Sequence, residues 1–299
     1  MKNFFIRKSL SVAAIAAAAA LALSACGGGG AGGSSSDAAA GPNFDVAKTV
    51  ALTGSPTYDK IKSAGSIRIG VKEDQPGLGY LDAATGERSG FDIEIATWMA
   101  ASLGIPKDKI QFKAIPSANR ESALANGDVD LYVGTYSITD KRKKLVDFAG
   151  PYFITGQGLL VTKDNTSIKS EKDLDGKKVC SATGSTPIQN IRQNFPKAIP
   201  VEFDIYSKCV DALKSGSVDA VTTDQAILLG FASSQDGLKV VGKPFTVEKY
   251  GVGLPLGDTA MRTFLDKTLT DGGATWTKIY DDTLGKSGTK VEQPKVEQS

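Results

Sequence analysis

Two eight-residue segments lying eighty-nine positions apart constrain the fold of this chain more than any other feature. Ala123-Leu124-Ala125-Asn126-Gly127-Asp128-Val129-Asp130 is echoed by Ala212-Leu213-Lys214-Ser215-Gly216-Ser217-Val218-Asp219. Each reads as the last turn of a helix, a glycine in the left-handed position after it, and the start of a buried strand. The strands are expected from Val129 to Gly134 and from Val218 to Thr222. Polar residues follow both, Thr135, Ser137 and Thr139 in one case and Thr222, Thr223 and Asp224 in the other. The pattern predicts two α/β lobes of similar plan. Each presents polar side chains at the carboxyl end of a strand, where open α/β sheets bind ligands.

The remaining sequence alternates as α/β lobes require. Ile67, Ile69 and Val71 give a strand by period-two spacing, and Ile110 to Ile115 gives a second. Asp92 to Leu103 reads as a helix with Ile93, Ala96, Ala100 and Leu103 on one face, stopped by Gly104 and Pro106. Strands of the second lobe are expected at Gly158 to Val161, Lys177 to Cys180, Val201 to Phe203 and Lys239 to Val241. Tyr250 to Leu254 reads as a strand returning to the first lobe. Asp258 then caps a helix carrying Met261, Phe264, Leu265 and Leu269, and a short terminal helix holds Trp276 and Ile279. Residues 285–299 are polar and are expected to be disordered.

The chain contains no histidine. Ser-His-Asp and Cys-His arrangements and the HExxH zinc site are therefore excluded, and no metal or cofactor is expected. At the amino terminus, Lys2, Arg7 and Lys8 precede an apolar run from Ser11 to Leu23, too short for a permanent membrane span. The run ends Leu23-Ser24-Ala25-Cys26, which resembles a bacterial lipoprotein signal. That resemblance implies cleavage after residue 25 and a diacylglyceryl group on Cys26. Gly27 to Gly41 follows, rich in Gly, Ala and Ser, a flexible leash reaching on the order of 20 Å. Residues 26–57 are thus expected to tether the domain to the outer face of the cell membrane. Removal of residues 1–25 with their three basic side chains leaves 32 basic and 33 acidic residues. That balance gives no reason to expect nucleic acid or anionic lipid as a partner. With Cys26 lipidated, Cys180 and Cys209 remain, and outside the cytoplasm they favour a disulfide over two buried thiols.

The segment from Val129 to Phe153, VDLYVGTYSITDKRKKLVDFAGPYF, carries a more specific signal. Thr139-Asp140-Lys141-Arg142 and Val146-Asp147-Phe148-Ala149-Gly150-Pro151-Tyr152 fill the motif places of solute-binding family 3, the polar amino-acid-binding proteins of ABC importers. The resemblance runs from about Tyr58 to Leu284. It implies a two-lobed periplasmic-binding-protein-like fold of type II. Lobe 1 would be 58–153 plus 250–284 and lobe 2 would be 154–249, with hinge crossovers near Tyr152–Gly156 and Glu248–Val252.

By the same resemblance Arg142 grips the ligand α-carboxylate, for which a planar guanidinium is the matching fork. Ser137 adds a hydroxyl and amide, and Thr135 a backbone contact. Asp224 takes the position that pairs with the ligand ammonium, in competition with a role as helix N-cap. Gly184-Ser185-Thr186-Pro187-Ile188-Gln189 reads as a helix start with Thr186 as cap and Gln189 closing a capping box. Its free amides suit an anion, so Ser185 and Thr186 could close onto the carboxylate. Around Gln75, Asp74-Gln75-Pro76-Gly77 departs from relatives that place an aromatic there. It resembles the glutamate-uptake branch of high-GC Gram-positive bacteria, as does Ser117-Ala118-Asn119-Arg120. Arg120 and Lys72 are the cations available to a distal carboxylate. The implied protein is no enzyme but a tethered receptor, most simply for L-glutamate, delivering it to an ABC permease. Glutamine or aspartate as ligand, a sensor for a membrane signalling partner, and a dehydratase on the same fold are the alternatives.

Overall fold

The computed structural model describes residues 43–287 and 291–297. The signal segment, Cys26 and the Gly/Ala/Ser stretch lie outside the described residues. In chain order the first strands are β1 (Ile67–Val71), β2 (Asp74–Gln75), β3 (Gly79–Leu81), β4 (Arg88–Ser89), β5 (Ile110–Ala114), β6 (Leu131–Tyr132) and β7 (Val146–Thr155). There follow β8 (Gln157–Thr162), β9 (Lys178–Ala182), β10 (Ile199–Phe203), β11 (Ala220–Asp224), β12 (Leu238–Val241) and β13 (Glu248–Pro255). The helices are α1 (Pro56–Ala64), α2 (Phe91–Ser102), α3 (Arg120–Ala125), α4 (Thr186–Asn194), α5 (Tyr206–Lys214), α6 (Gln225–Ser234), α7 (Thr259–Asp271) and α8 (Gly273–Asp282).

Two five-stranded sheets have the same plan. One runs β5-β1-β6-β13-β7 and the other β10-β9-β11-β8-β12. In each, three parallel strands are followed by one antiparallel strand, and a fifth strand pairs antiparallel with that one. The chain passes from the first sheet to the second between β7 and β8 and returns between β12 and β13. Over Glu248–Tyr250 and Phe153–Thr155 these two passages pair with each other. A ribbon of β2, β3 and β4 stands beside the first sheet.

The repeated segments occupy equivalent places down to single hydrogen bonds. Gly127 and Gly216 have φ of 69° and 74°, and their amides donate to Leu124 O and Leu213 O, each at 3.1 Å. Asp130 and Asp219 then tie the new strand to its parallel neighbour. The Asp130 carboxylate accepts from Arg68 N at 2.9 Å, and that of Asp219 from Lys178 N at 2.7 Å. This side-chain pairing takes over the first rungs of the ladder, so the regular strands are shorter or later than expected, Leu131–Tyr132 and Ala220–Asp224.

The first sheet is packed by an aromatic cluster in which Phe91 meets Trp276 edge-on at 5.8 Å and Phe153 at 5.3 Å. Such contacts each contribute about 0.5–1.5 kcal/mol beyond burial. Trp276 Nε1 donates to Tyr152 O at 2.7 Å, so α8 is keyed to the crossing strand β7. Asp258 caps α7 by accepting from Met261 N, and its other oxygen accepts from Ser55 Oγ and Thr57 N, holding α1. In the second sheet a Cys180–Cys209 disulfide joins β9 to α5, with the Cα atoms 5.5 Å apart.

Two segments expected to be free are docked. The tether does not extend to residue 57: Phe44 and Val50 pack on the core, Leu52 is buried, and Ala47 N donates to Ala101 O. These apolar side chains gain more by covering α2 than by remaining in water. At the other end, residues 291–297 run along the first lobe instead of being disordered. Val291 and Val296 pack on the core, Gln293 Nε2 donates to Leu269 O, and Glu297 N donates to Gly150 O at 2.9 Å.

Candidate functional site

The carboxyl ends of the parallel strands of the two sheets face each other across a cleft. The first lobe supplies Lys72 just after β1, Gln75 on β2, Arg120 at the start of α3, Thr135 and Ser137 after β6, and Arg142 in a 3-10 turn, Arg142–Lys144. The second supplies Ser185 and Thr186 at the start of α4 and Asp224 at the end of β11. All nine are buried or nearly so, and the structure brings them to one region. The lobes touch along it. Thr186 Oγ1 lies 3.4 Å from Ser137 Oγ, and Ser207 N donates to Asp74 Oδ2 at 3.0 Å. A Cβ added to Gly184 would stand 2.6 Å from Ala118 Cα, and one added to Gly230 would stand 2.1 Å from Pro76 O.

Arg142 is buried, with Nη1 donating to Ser137 O at 2.7 Å, Nη2 to Gly184 O at 3.0 Å and Nε to Glu121 Oε1 at 3.0 Å. Its guanidinium lies over the Tyr136 ring at 5.0 Å. Burial, followed by the nearby Arg120 charge, lowers its pKa from the ordinary arginine value. A charge so placed is stabilised by an anion that enters beside it. Arg120 lies 4.4 Å from the centre of the same ring and donates to three backbone carbonyls: Ser117 O, Thr135 O and Gly184 O. Like Arg142, it spends three of its five N–H groups on bracing the cleft.

Thr135 is the one non-glycine with positive φ among the described residues, at 47°. A left-handed non-glycine costs on the order of 1–2 kcal/mol and persists only where its surroundings hold it. Asp92, at the start of α2, does so: its carboxylate accepts from Thr135 N at 3.0 Å and from Tyr152 OH at 2.8 Å. Burial pushes the Asp92 pKa up to about 6, against the pull of these two hydrogen bonds.

In the second lobe the helix cap is Ser185, not Thr186: its hydroxyl accepts from Ile188 N at 3.3 Å. Proline occupies the second rather than the first helical position, and Gln189 closes no capping box. Thr186 is thereby released from capping and donates to Glu248 Oε2 at 2.9 Å. Asp224 stands at the N-cap of α6 but makes no side-chain cap hydrogen bond. Its Oδ2 accepts from Tyr250 OH at 2.6 Å, while Oδ1 is buried without a hydrogen-bond partner. Burial and the neighbouring Glu248 push its pKa up to about 8.

Lys72 Nζ donates to Ser117 Oγ at 2.8 Å and reaches Ile115 O at 3.4 Å. Burial and the Arg120 charge push it down to about 7. The Gln75 side chain is wholly buried, and neither its amide oxygen nor its nitrogen has a hydrogen-bond partner. A groove of about 760 Å³ leads outward from Arg142, walled by Glu121 and Leu145 on one lobe and by Gly184, Thr186 and Gln189 on the other.

Asp92, Tyr250, Glu248 and Glu121 were not among the residues singled out from sequence. Asp92 and Glu248 carry no local signal of a site, the one reading as an acidic first-turn residue and the other as a strand start. The site as a whole sets Arg142, Arg120 and Lys72 of the first lobe opposite Asp224 of the second. That arrangement suits a small zwitterion. Among the described residues no group of three His, Cys, Asp or Glu side chains could hold a metal ion.

The family model for bacterial extracellular solute-binding proteins, family 3, matches residues 67–286. The glutamate-binding protein GluB of Corynebacterium efficiens is 39% identical over 244 residues, covering 77% of this chain and 82% of that protein. The ABC transporter glutamine-binding protein GlnH of Bacillus subtilis is 41% identical over 233 residues, covering 78% and 85%. Among solved structures, an ancestral arginine-binding protein bound to arginine superposes with a TM-score of 0.69 at 36% identity, covering 74% of this chain and 99% of that one.

Proposed function

From the premise that the chain belongs to the bacterial extracellular solute-binding proteins of family 3, we propose that it captures L-glutamate or L-glutamine and delivers it to an ABC permease. One observation carries the reading: Asp224 Oδ1 and the Gln75 amide are buried in the cleft without hydrogen-bond partners. A buried polar atom left unpaired costs about 1–3 kcal/mol, which a ligand filling the cleft would recover. Arg142 then takes the α-carboxylate, with Ser137 and the amino end of α4 beside it. Asp224 takes the α-ammonium. Gln75, Lys72 and the carbonyl-braced Arg120 line the side-chain end.

Closure follows from the same contacts. The ligand touches both lobes only when they approach, so it stabilises the closed form by its differential affinity. The paired passages β7 and β13 act as the hinge, between lobe 1 at 58–153 plus 250–284 and lobe 2 at 154–249. The lipid on Cys26 keeps the domain at the outer face of the membrane, near its permease.

Calorimetric titration of the mature chain with the twenty amino acids tests the ligand. Binding of glutamate or glutamine above all others is expected, and failure of both would refute the assignment. Fractionation of cells expressing Cys26→Ala tests the anchor. Loss of membrane association is expected, and unchanged association would exclude lipidation at Cys26.

A further inference from the structure

Lys72 is a buried ammonium with no carboxylate paired to it among the described residues. Its Nζ holds one hydroxyl, Ser117 Oγ, and a longer contact to a carbonyl, Ile115 O. The charged and titratable groups around it come from every side of the first lobe. Arg120 of α3 and Arg142 of the 3-10 turn repel its charge, while Asp74 of β2 and Asp92 of α2 attract it. Neither carboxylate is hydrogen-bonded or ion-paired to Nζ. Asp74 accepts from Ser207 N of the opposite lobe, and Asp92 is held by Thr135 N and Tyr152 OH. The adjacent Glu73 is paired with Arg88. An ammonium in such a place is stabilised by an anion that enters with it; without one the amine sheds its proton more readily.

We infer that Lys72 couples ligand choice to proton uptake: the cleft takes glutamate together with a proton that lodges on Lys72 Nζ, and takes glutamine without one. This rests on the glutamate or glutamine reading of the cleft and deepens it. The step balances simply. The neutral amine of the free cleft accepts one proton from solvent as the ligand's side-chain carboxylate, already ionised, arrives beside it. Glutamine carries no side-chain charge, so the amine stays neutral. The lowered ammonium pKa of about 7 agrees with this placement, since the free site then changes state near neutrality. Asp224 and the two ends common to both ligands exchange protons equally in the two cases, so the difference between glutamate and glutamine isolates Lys72.

The test is calorimetry of the purified mature protein with each ligand at pH 8, in buffers of different ionisation enthalpy. Glutamate should take up close to one proton more than glutamine. Its affinity relative to glutamine should fall about fifty-fold from pH 7 to pH 9, the change expected when a group of pKa near 7 must be charged for binding. Lys72→Arg keeps a charge that does not titrate, so it should remove both the extra proton and the pH dependence of the ratio. Lys72→Met should remove them too, with the ratio shifted toward glutamine. Equal proton counts for the two ligands in the unmodified protein would overturn the inference while leaving the amino-acid reading intact. So would an extra glutamate proton that survives in Lys72→Met. Binding of neither ligand would overturn both.

Discussion

Gly230→Ala separates closure from stability, because the two respond with opposite sign. Gly230 lies inside α6, where a methyl group relieves the backbone freedom of glycine and stabilises a helix by about 0.5–1 kcal/mol. With the lobes together, that methyl would stand 2.1 Å from the carbonyl oxygen of Pro76 in the opposite lobe. The obstacle is backbone, so no rotamer change removes it. Overpacking of this kind costs about 1–3 kcal/mol, and it is felt only in the closed form. Affinity for the amino acid should therefore fall about 5- to 150-fold. The ligand-free variant should melt at the same temperature as its parent or slightly above it. Isothermal calorimetry gives the first quantity and scanning calorimetry without ligand the second. An affinity within twofold of the parent would show that ligand capture does not need the approach of α6 to Pro76.

Arg142→Ala should weaken amino-acid binding by about 2–5 kcal/mol, the cost of stripping one partner from a buried charged contact. Melting should fall less than binding does, since the Glu121 left behind is partly exposed and only Ser137 O and Gly184 O lose a donor. Asp224→Asn should abolish binding yet stabilise the empty domain at neutral pH. The folded state holds the Asp224 proton up to about pH 8 against an ordinary value near 3.8. Its contribution to stability is therefore complete below that ordinary value and is lost as pH rises toward 8. Melting temperatures from pH 4 to pH 9 should show a shallower decline in the variant, and an unchanged profile would refute the reasoning. Replacing Cys180 and Cys209 together by Ala opens a loop of sequence separation 29. The change should cost about 3–4 kcal/mol in the chain-entropy view, read from denaturant unfolding, and a loss below 1 kcal/mol would contradict it.

What could be read from sequence was local or repetitive. The paired segments ending in Asp130 and Asp219 announced two lobes of one plan because the same backbone problem, leaving a helix for a buried strand, recurs with the same solution. Asp258 was legible as a cap because capping is decided within four residues. Ser185 and Thr186 were exchanged because both are hydroxyl residues beside one proline, and one step of backbone decides which of them faces the helix. Arg120 was legible as a cation but not as a brace, since its three carbonyl partners come from separate loops. Asp92 and Glu248 were invisible for the same reason. Their partners, Thr135, Tyr152 and Thr186, lie from 43 to 62 positions away in sequence. Phe44, Val50 and Leu52 show no periodicity to suggest that they dock on the core.

The returning tail has a practical consequence for anyone wishing to watch this protein work. Its last described residues are fastened beside the proposed hinge: Glu297 bonds to Gly150 through its amide and pairs with Lys249 through its side chain. A fluorescent module appended to the carboxyl terminus would ride on the axis of the movement and be displaced least by it, like a flag tied to a door hinge. An insertion at the exposed turn Asp236-Gly237, at the end of the second sheet away from Asp224, would sit on the swinging edge in the proposed closure. Paired with a second dye on the first lobe, it is the position from which ligand capture would be converted into a change of distance.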